Sequence, residues 1–365
     1  MPERPLKPAT YGEAGVQPSP GLGRVLDVLR GTFGNRRGLA GEPVLDFGYY
    51  ANVLRLTDTL GLAISTDGVG TKLLVAEMMG KYDTVGIDCV AMNVNDIVCV
   101  GAEPVAMVDY IAVERLDERQ LREIAVGLEE GARQAHISIP GGELAQVPEM
   151  IRGAGDAGEA FDLVGTAVGV VPLDRIVTGE RAQPRDVLVG YASSGIHSNG
   201  LTLARKVLLD ERREWTVETH VAELGRTLGE ELLEPTHIYV GLVLELLRRV
   251  DVRALFHITG DGFLNLRRIP ALVGFEIDKL PPLPPIFDLI RSAGGVGDAE
   301  MYRVFNMGIG FCAVVPQNDA AAAVAIAKDL GIDAWVLGRC VADDAKTVRL
   351  RPLGLVGTGG EFRPE

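Results

Sequence analysis

The residues best suited to chemistry lie in a short polar turn, Asp67-Gly68-Val69-Gly70-Thr71-Lys72. Glycines there let backbone N–H groups approach an anion, Asp67 could hold magnesium, and Lys72 could neutralise phosphate charge. The turn is not a P-loop, because Gly-x-x-x-x-Gly-Lys-Ser/Thr is absent, and no Gly-x-Gly-x-x-Gly fingerprint stands in the right setting. A plain connection is the competing reading. Weighing against it is a second polar set, Asn93, Asn95 and Asp96, on an otherwise apolar stretch, where an unpaired carboxylate is costly and wants a cation. A capping role or a lysine partner would equally account for Asp96. Glu143 follows Gly141-Gly142, a place suited to a third metal ligand or to a solvated turn. His197, between Gly195 and Asn199, and His257, before Ile258-Thr259-Gly260-Asp261-Gly262, flank glycine-rich turns; acid–base catalysis and a hydrogen-bonded structural role are both open to them. His136, His220 and His237 lack such surroundings and read as structural. Without a Gly-x-Ser-x-Gly elbow or a His-Glu-x-x-His run, hydrolase and metalloprotease readings lose support.

An alternation of strands and helices must position these groups. Residues 60–65 predict a strand feeding the first turn. Over 84–100, Ile87, Val90, Ala91, Val94, Ile97 and Val98 keep helical spacing, which leaves Asp88, Asn95 and Asp96 within about 100° on another side. That predicts a buried helix with one acidic edge. A strand over 105–112, an amphipathic helix over 118–135 opened by Asp117 with Gln120 as a capping-box analogue, a short strand over 136–139 and a strand over 161–171 follow. Beyond a charged, Pro-containing stretch at 172–184, a strand over 187–192 leads through Ser193-Ser194-Gly195-Ile196-His197-Ser198-Asn199-Gly200 into a helix over 201–209. A helix over 319–330 and a strand over 334–337 repeat the alternation. The expected divisions are an arm or lid over 1–43 with one short helix near 24–30, a first domain over 44–171, a second over 172–345, and a loose Gly- and Pro-rich tail over 346–365.

Composition bounds the function. The chain has 365 residues, 47% hydrophobic and 24% charged, enough for two domains with a sizeable core. Its 36 basic and 50 acidic residues give a net charge of −14, which opposes nucleic-acid backbones and anionic membranes. A phosphorylated substrate therefore needs local help from magnesium, helix N-termini and a few basic residues. Cys89, Cys99, Cys312 and Cys340 show no metal-site spacing and read as buried thiols. With no apolar leader and no run of 18 apolar residues, a soluble cytoplasmic protein is expected. These observations describe a magnesium-dependent, phosphate-handling α/β protein and do not name its reaction.

Taken in order, several segments resemble the phosphoribosylformylglycinamidine cyclo-ligase (aminoimidazole ribonucleotide synthetase) family of purine biosynthesis over residues 11–341. They are Ala14-Gly15-Val16, Ser65-Thr66-Asp67-Gly68-Val69-Gly70-Thr71-Lys72, Val90-Ala91-Met92-Asn93-Val94-Asn95-Asp96, Gly101-Ala102-Glu103-Pro104 with Asp109-Tyr110, and Gly141-Gly142-Glu143. The 193–200 turn, His257-Ile258-Thr259-Gly260 and Glu300-Met301-Tyr302-Arg303-Val304-Phe305-Asn306-Met307-Gly308 complete the set. The resemblance implies an α/β (α+β) fold of two domains. Strands of the first form a barrel across a homodimer, and the C-terminal domain packs outside. It implies a reaction in which ATP phosphorylates the formamide oxygen of formylglycinamidine ribonucleotide and an internal nitrogen closes the imidazole ring. Asp67, Asp96 and Glu143 would hold magnesium. Asp67, Gly68, Gly70, Thr71, Lys72, Asp88, Asn95 and Asn199 would bind the nucleotide. His197, Ser198, Asn199, His257 and Thr259 are similar to substrate-facing positions, with His197, His257 and Lys72 as the catalytic set. The chain departs from the family pattern at Gly12 (commonly lysine), at residues 46–50, at Leu144 and Gln146, and at Asp261, which replaces a glycine and could repel a substrate phosphate. Two alternatives stand beside this reading: a same-fold ATP-dependent enzyme with another phosphoryl acceptor, and a non-catalytic nucleotide-binding dimer.

Overall fold

Residues 9–16, 22–153, 159–209 and 215–365 are described by the computed structural model. Strands β1 (Glu42–Pro43), β2 (Asn52–Arg55), β3 (Leu60–Gly68), β4 (Glu103–Val113), β5 (Gly142–Gln146) and β6 (Phe161–Pro172) form a sheet in the order β1-β2-β3-β6-β4-β5. Its neighbours are antiparallel except β4 and β5, whose parallel pairing needs the intervening helical crossover. Strict alternation along β6 buries Phe161, Leu163, Gly165, Ala167, Gly169 and Val171, so the sheet has one covered face and one open one. On the open side Ile64, Val108 and Tyr110 are exposed.

Four helices belong to this half: α1 (Leu22–Arg30), α2 (Leu73–Met79), α3 (Val85–Cys99) and α4 (Glu118–Ala135). Helix α3 covers the sheet, and α4 packs on α3. The two helices come close because glycines line their contact: a Cβ on Gly86 would fall 2.2 Å from the Leu128 nitrogen, and one on Gly127 2.4 Å from the Asp83 oxygen.

The second half contains β7 (Val187–Ala192), a ribbon of β8 (His220–Val221) and β9 (Arg226–Thr227), then β10 (Ala254–His257), β11 (Val273–Ile277), β12 (Ile309–Val315), β13 (Ala334–Ala342), β14 (Val348–Leu350), β15 (Leu355–Thr358) and β16 (Glu361–Pro364). Apart from the ribbon these make an eight-stranded sheet, β10-β12-β7-β13-β11-β14-β15-β16. Helices α5 (Leu201–Leu208), α6 (Leu228–Leu232), α7 (Val240–Arg249), α8 (Pro285–Gly294), α9 (Asp298–Val304) and α10 (Ala320–Asp329) complete it. Both β10 and α7 contact α3, so this one helix lies between the two halves of the molecule.

The predicted buried helix, the long amphipathic helix and the principal strands all form. The tail is a correction: residues 346–365 are not loose, because β14 to β16 extend the second sheet and bury Val348, Leu350, Leu355 and Phe362. Strands of three and four residues are too short to show a period. Residues 136–139 make only a bridge, Ala106 to Ser138, and His136 closes α4 in the left-handed region at φ 55°. Asp117 caps α4 by accepting from the Gln120 nitrogen, but the Gln120 side chain donates to the Glu159 carbonyl instead of returning to the cap. Of the arm, residues 1–8 and 17–21 lie outside the described residues. Residues 9–16 rest on the second half, with the Tyr11 nitrogen donating to Glu300 at 2.7 Å and Lys206 Nζ to the Glu13 carbonyl at 3.0 Å. No helix among the described residues is long and apolar enough to cross a membrane.

Candidate functional site

Asp88 lies two turns before Asn95 and Asp96 on α3, on the edge that meets the second half. Lys72 Nζ donates to Asp88 Oδ1 at 2.8 Å, with both side chains wholly buried. The same oxygen accepts from the Thr236 nitrogen (2.8 Å), Thr236 Oγ1 (2.6 Å) and Ser198 Oγ (3.2 Å). Asn95 donates to the His237 carbonyl at 2.9 Å and accepts from the Tyr239 nitrogen at 2.8 Å. Thr71 Oγ1 meets Thr202 Oγ1 at 2.8 Å in the same seam. Further hydrogen bonds offset the desolvation of a buried ion pair; here the second half supplies three to Asp88 Oδ1, while Asp88 Oδ2 has no partner among the described residues. Lys72, Asp88 and Asn95, expected at the nucleotide, hydrogen-bond across the seam between the two halves.

Asp67, near the end of β3, is held by its backbone. Asn93 Oδ1 accepts from the Asp67 nitrogen at 3.0 Å, and Asn93 Nδ2 donates to the Asp67 carbonyl at 3.1 Å. Glycine at 165 leaves room for this, since a Cβ there would fall 2.6 Å from Asn93 Nδ2. Burial raises the Asp67 carboxyl above the usual carboxylate range, and the nearby Asp96 charge adds to the effect. Asp96 Oδ1 meets His257 Nδ1 at 2.9 Å. The His257 ring is buried, and its Nε2 has no hydrogen-bond partner among the described residues. With Asp96 ionised, Nδ1 carries the proton and Nε2 presents a lone pair. Asp67 and Asp96 fit magnesium, which is held by one or two carboxylates and keeps several waters; a cation would relieve the like-charge strain on Asp67. No group of three or more His, Cys, Asp or Glu among the described residues is arranged to hold a metal.

Glu143 is set apart by register. Asp67, Gly165, Asp109 and Gly142 form one row across β3, β6, β4 and β5, while Gly68, Val164, Tyr110 and Glu143 form the next. Adjacent rows face opposite sides of a sheet, and three strand spacings are about 14 Å. Within one chain, then, Glu143 projects from the open face and does not join Asp67 and Asp96.

His197 sits in the left-handed region at φ 66° and is buried. Its Nε2 accepts from the Ser194 and His237 nitrogens at 3.3 and 3.5 Å, which assigns the proton to Nδ1, an atom without a partner among the described residues. Burial pulls His197 well below 6.5, with His257 and Lys72 adding to the shift, so it is neutral at pH 7. Gly310 makes its place: a Cβ there would fall 2.2 Å from the Tyr239 hydroxyl and 2.4 Å from His197 Cε1. Asn306 fixes the loop, donating to the Gly195 and Ile196 carbonyls (2.9 and 3.0 Å) and accepting from Ser193 Oγ and the Gly308 nitrogen. Beside Asn199 and Gly260 opens a cavity of about 1020 Å³ lined by Tyr11, Gly12, Gly260, Asp261, Arg268 and Arg303, among others. Asp261 is no bare charge in it, because Arg268 pairs with it at 2.9 Å.

A family model described as AIR synthase related protein, N-terminal domain, matches residues 48–171, and its C-terminal-domain counterpart matches 183–351. Phosphoribosylformylglycinamidine cyclo-ligase of Thermococcus kodakarensis is 50% identical over 338 residues, 92% of this chain and 96% of that protein. The chain belongs to this cyclo-ligase family. The cyclo-ligase of Pyrococcus horikoshii is 46% identical over 349 residues, 95% of this chain and 99% of that protein. Among solved structures, the HypE–HypF complex aligns at TM-score 0.62 and 18% identity (95% of this chain, 99% of that chain). A thiamine-monophosphate kinase from Stenotrophomonas maltophilia aligns at 0.58 and 20% (88% and 94%). Both share the fold.

In this cyclo-ligase family member, Thr236, Tyr239 and Arg268 carried no signal in the sequence, and Arg303 stood in a family segment without an assigned role. Thr236 could not have been found by spacing, because its partner Asp88 is 148 residues away. Asn306 lay within a quoted motif, but its role became visible only when its four loop contacts were seen together.

Proposed function

We propose that the chain catalyses ATP-dependent ring closure of formylglycinamidine ribonucleotide to aminoimidazole ribonucleotide, releasing ADP and phosphate. The 50% identity to a cyclo-ligase over nearly the whole chain carries this reading, and the Asp67, Asp96 and His257 geometry is compatible with it. A formamide oxygen is a poor leaving group. Transfer of the γ-phosphoryl group to it makes phosphate the leaving group, the amidine nitrogen forms the new C–N bond, and the C–O bond to phosphate breaks. Such chemistry needs positioning and charge neutralisation more than covalent catalysis.

Asp67 and Asp96 would hold magnesium, which supplies neutralisation of phosphate charge. Backbone N–H groups of the Gly68, Gly70 and Thr71 turn line the nucleotide phosphates. His257 Nε2 accepts the proton that the attacking nitrogen releases, while Asp96 steadies the resulting imidazolium. Neutral His197 offers its Nδ1–H to negative charge developing on the formyl oxygen. Asn199, beside Gly260, faces the substrate. The exposed Ile64, Val108 and Tyr110 support a homodimer paired through the open sheet face, where Glu143 also lies. Four buried free thiols support a reducing, cytoplasmic setting.

The test is an ADP-release assay with magnesium, with and without the amidine substrate, with product identified by mass. One ADP per aminoimidazole ribonucleotide, only when substrate is present, is expected. ADP without the imidazole, or no ADP, would overturn the proposal.

A further inference from the structure

Two guanidinium groups in the wall of the large cavity are built alike. Arg268 lies over the Tyr50 ring, 5.3 Å from its centroid, and donates Nη2 to Asp261 at 2.9 Å. Arg303 lies 5.9 Å from the Tyr11 ring centroid and donates Nε and Nη2 to Glu300 at 2.8 and 2.6 Å. Stacking on a tyrosine ring fixes the plane of each guanidinium, which recognition of a phosphate through paired N–H groups requires. Each arginine has five N–H groups; these ion pairs engage one on Arg268 and two on Arg303. The remaining acidic residue among the described lining residues, Glu361, is paired with Arg363, so none of these carboxylates is unpaired. The placement suits a substrate with two ends. Gly260 borders the cavity, a Cβ there would lie 3.2 Å from Asn199 Oδ1, and the same turn leads back to His257 and Asp96.

We infer that Arg268 and Arg303 bind the phosphate monoester of the ribonucleotide substrate, and that Asp261 weakens this subsite by competing for Arg268. The inference rests on the ribonucleotide reading given above. It makes Arg268 a binding residue and Asp261 a determinant of substrate affinity, with the phosphate held on the arm side and the reacting amidine towards His257.

The probe is ribose 5-phosphate, which carries the monoester and lacks the amidine, titrated calorimetrically into the full chain and used as an inhibitor of turnover. Arg268→Gln is expected to weaken its binding and to raise KM for formylglycinamidine ribonucleotide by a similar factor, about 10- to 100-fold, as for loss of a charged hydrogen bond. The KM for ATP stays within about threefold, and kcat falls far less than KM rises. Asp261→Asn is expected to tighten ribose 5-phosphate binding several-fold. Arg268→Lys, which keeps the charge but not the fork, gives an intermediate loss and serves if the Gln variant does not fold. The inference is overturned if ribose 5-phosphate does not bind the wild-type chain, if Arg268→Gln or Arg268→Lys leaves its affinity unchanged, if KM for ATP rises in step, or if Asp261→Asn weakens binding. Calorimetry needs no turnover. Arg268-dependent binding in a chain that makes no imidazole would uphold the subsite and remove the proposed reaction, whereas product formation with an Arg268-independent KM would do the reverse.

Discussion

At the α3 seam, Lys72 and Asp88 expose none of their side-chain surface, and their bonds run to the protein itself. At the cavity, Arg268 and Asp261 keep 39% and 59% of theirs exposed. Both regions contain one cation and one anion in direct contact, yet they serve different ends. In the seam, desolvation makes every unmatched donor expensive, so the charges are committed to holding two domains in register. In the cavity, water screens the pair and a ligand can replace one partner at little cost. Asp67, Asp96 and His257 stand between these extremes: the carboxylates are partly exposed, and the buried His257 leaves Nε2 without a partner among the described residues.

Breaking the seam should have the largest effect. Lys72→Met leaves Asp88 as an unpaired buried carboxylate and is expected to cost about 3–5 kcal/mol in urea unfolding; a loss below 1 kcal/mol would show that the seam is not under this constraint. Asp96→Asn removes the proposed magnesium ligand and the carboxylate beside His257. Turnover is expected to fall roughly 10²- to 10⁴-fold with the thermal melt retained, and unchanged turnover would take Asp96 out of the site. Gly310→Ala pushes a methyl group onto His197 and the Tyr239 hydroxyl and should cost about 1–3 kcal/mol by the same unfolding measurement, with a drop in kcat.

Acid should weaken the fold through the buried histidines. Burial lowers both His197 and His237 in the folded state, so below the ordinary histidine range the unfolded chain binds protons that the folded chain refuses. Their stabilisation of the neutral fold is present above about pH 6.5 and is lost as pH falls, by up to about 1.4 kcal/mol per pH unit for each group. Unfolding measured from pH 7.5 to 5 should show this slope, and His197→Gln should flatten it. The smallest effect sharpens the contrast: Asp261→Asn should change stability by no more than about 0.5 kcal/mol, in the chain where Lys72→Met is severe.

Much of this was legible from local pattern. Helical spacing located α3 and α4, and the polar residues of α3 signalled one distinctive edge. What that edge meets was not legible. Asp88 and Asn95 stood out as one polar edge, and only the family resemblance implied a nucleotide there, whereas their partners at Thr236, His237 and Tyr239 are brought in by the fold. Glu143 shows a second limit, since which side of the sheet it faces depends on β4–β5 register, and a shift of one residue reverses it. The tail escaped because its strands are too short for a period, although Val348, Leu350 and Phe362 are as buried as the main core.

The most direct test of the account follows the formyl oxygen. Formylglycinamidine ribonucleotide labelled with oxygen-18 at the formamide would be turned over with ATP and magnesium, and the released phosphate analysed by mass. Activation of that oxygen by phosphoryl transfer predicts one label in the phosphate for each ring closed. Label recovered in water, with unlabelled phosphate, would contradict it.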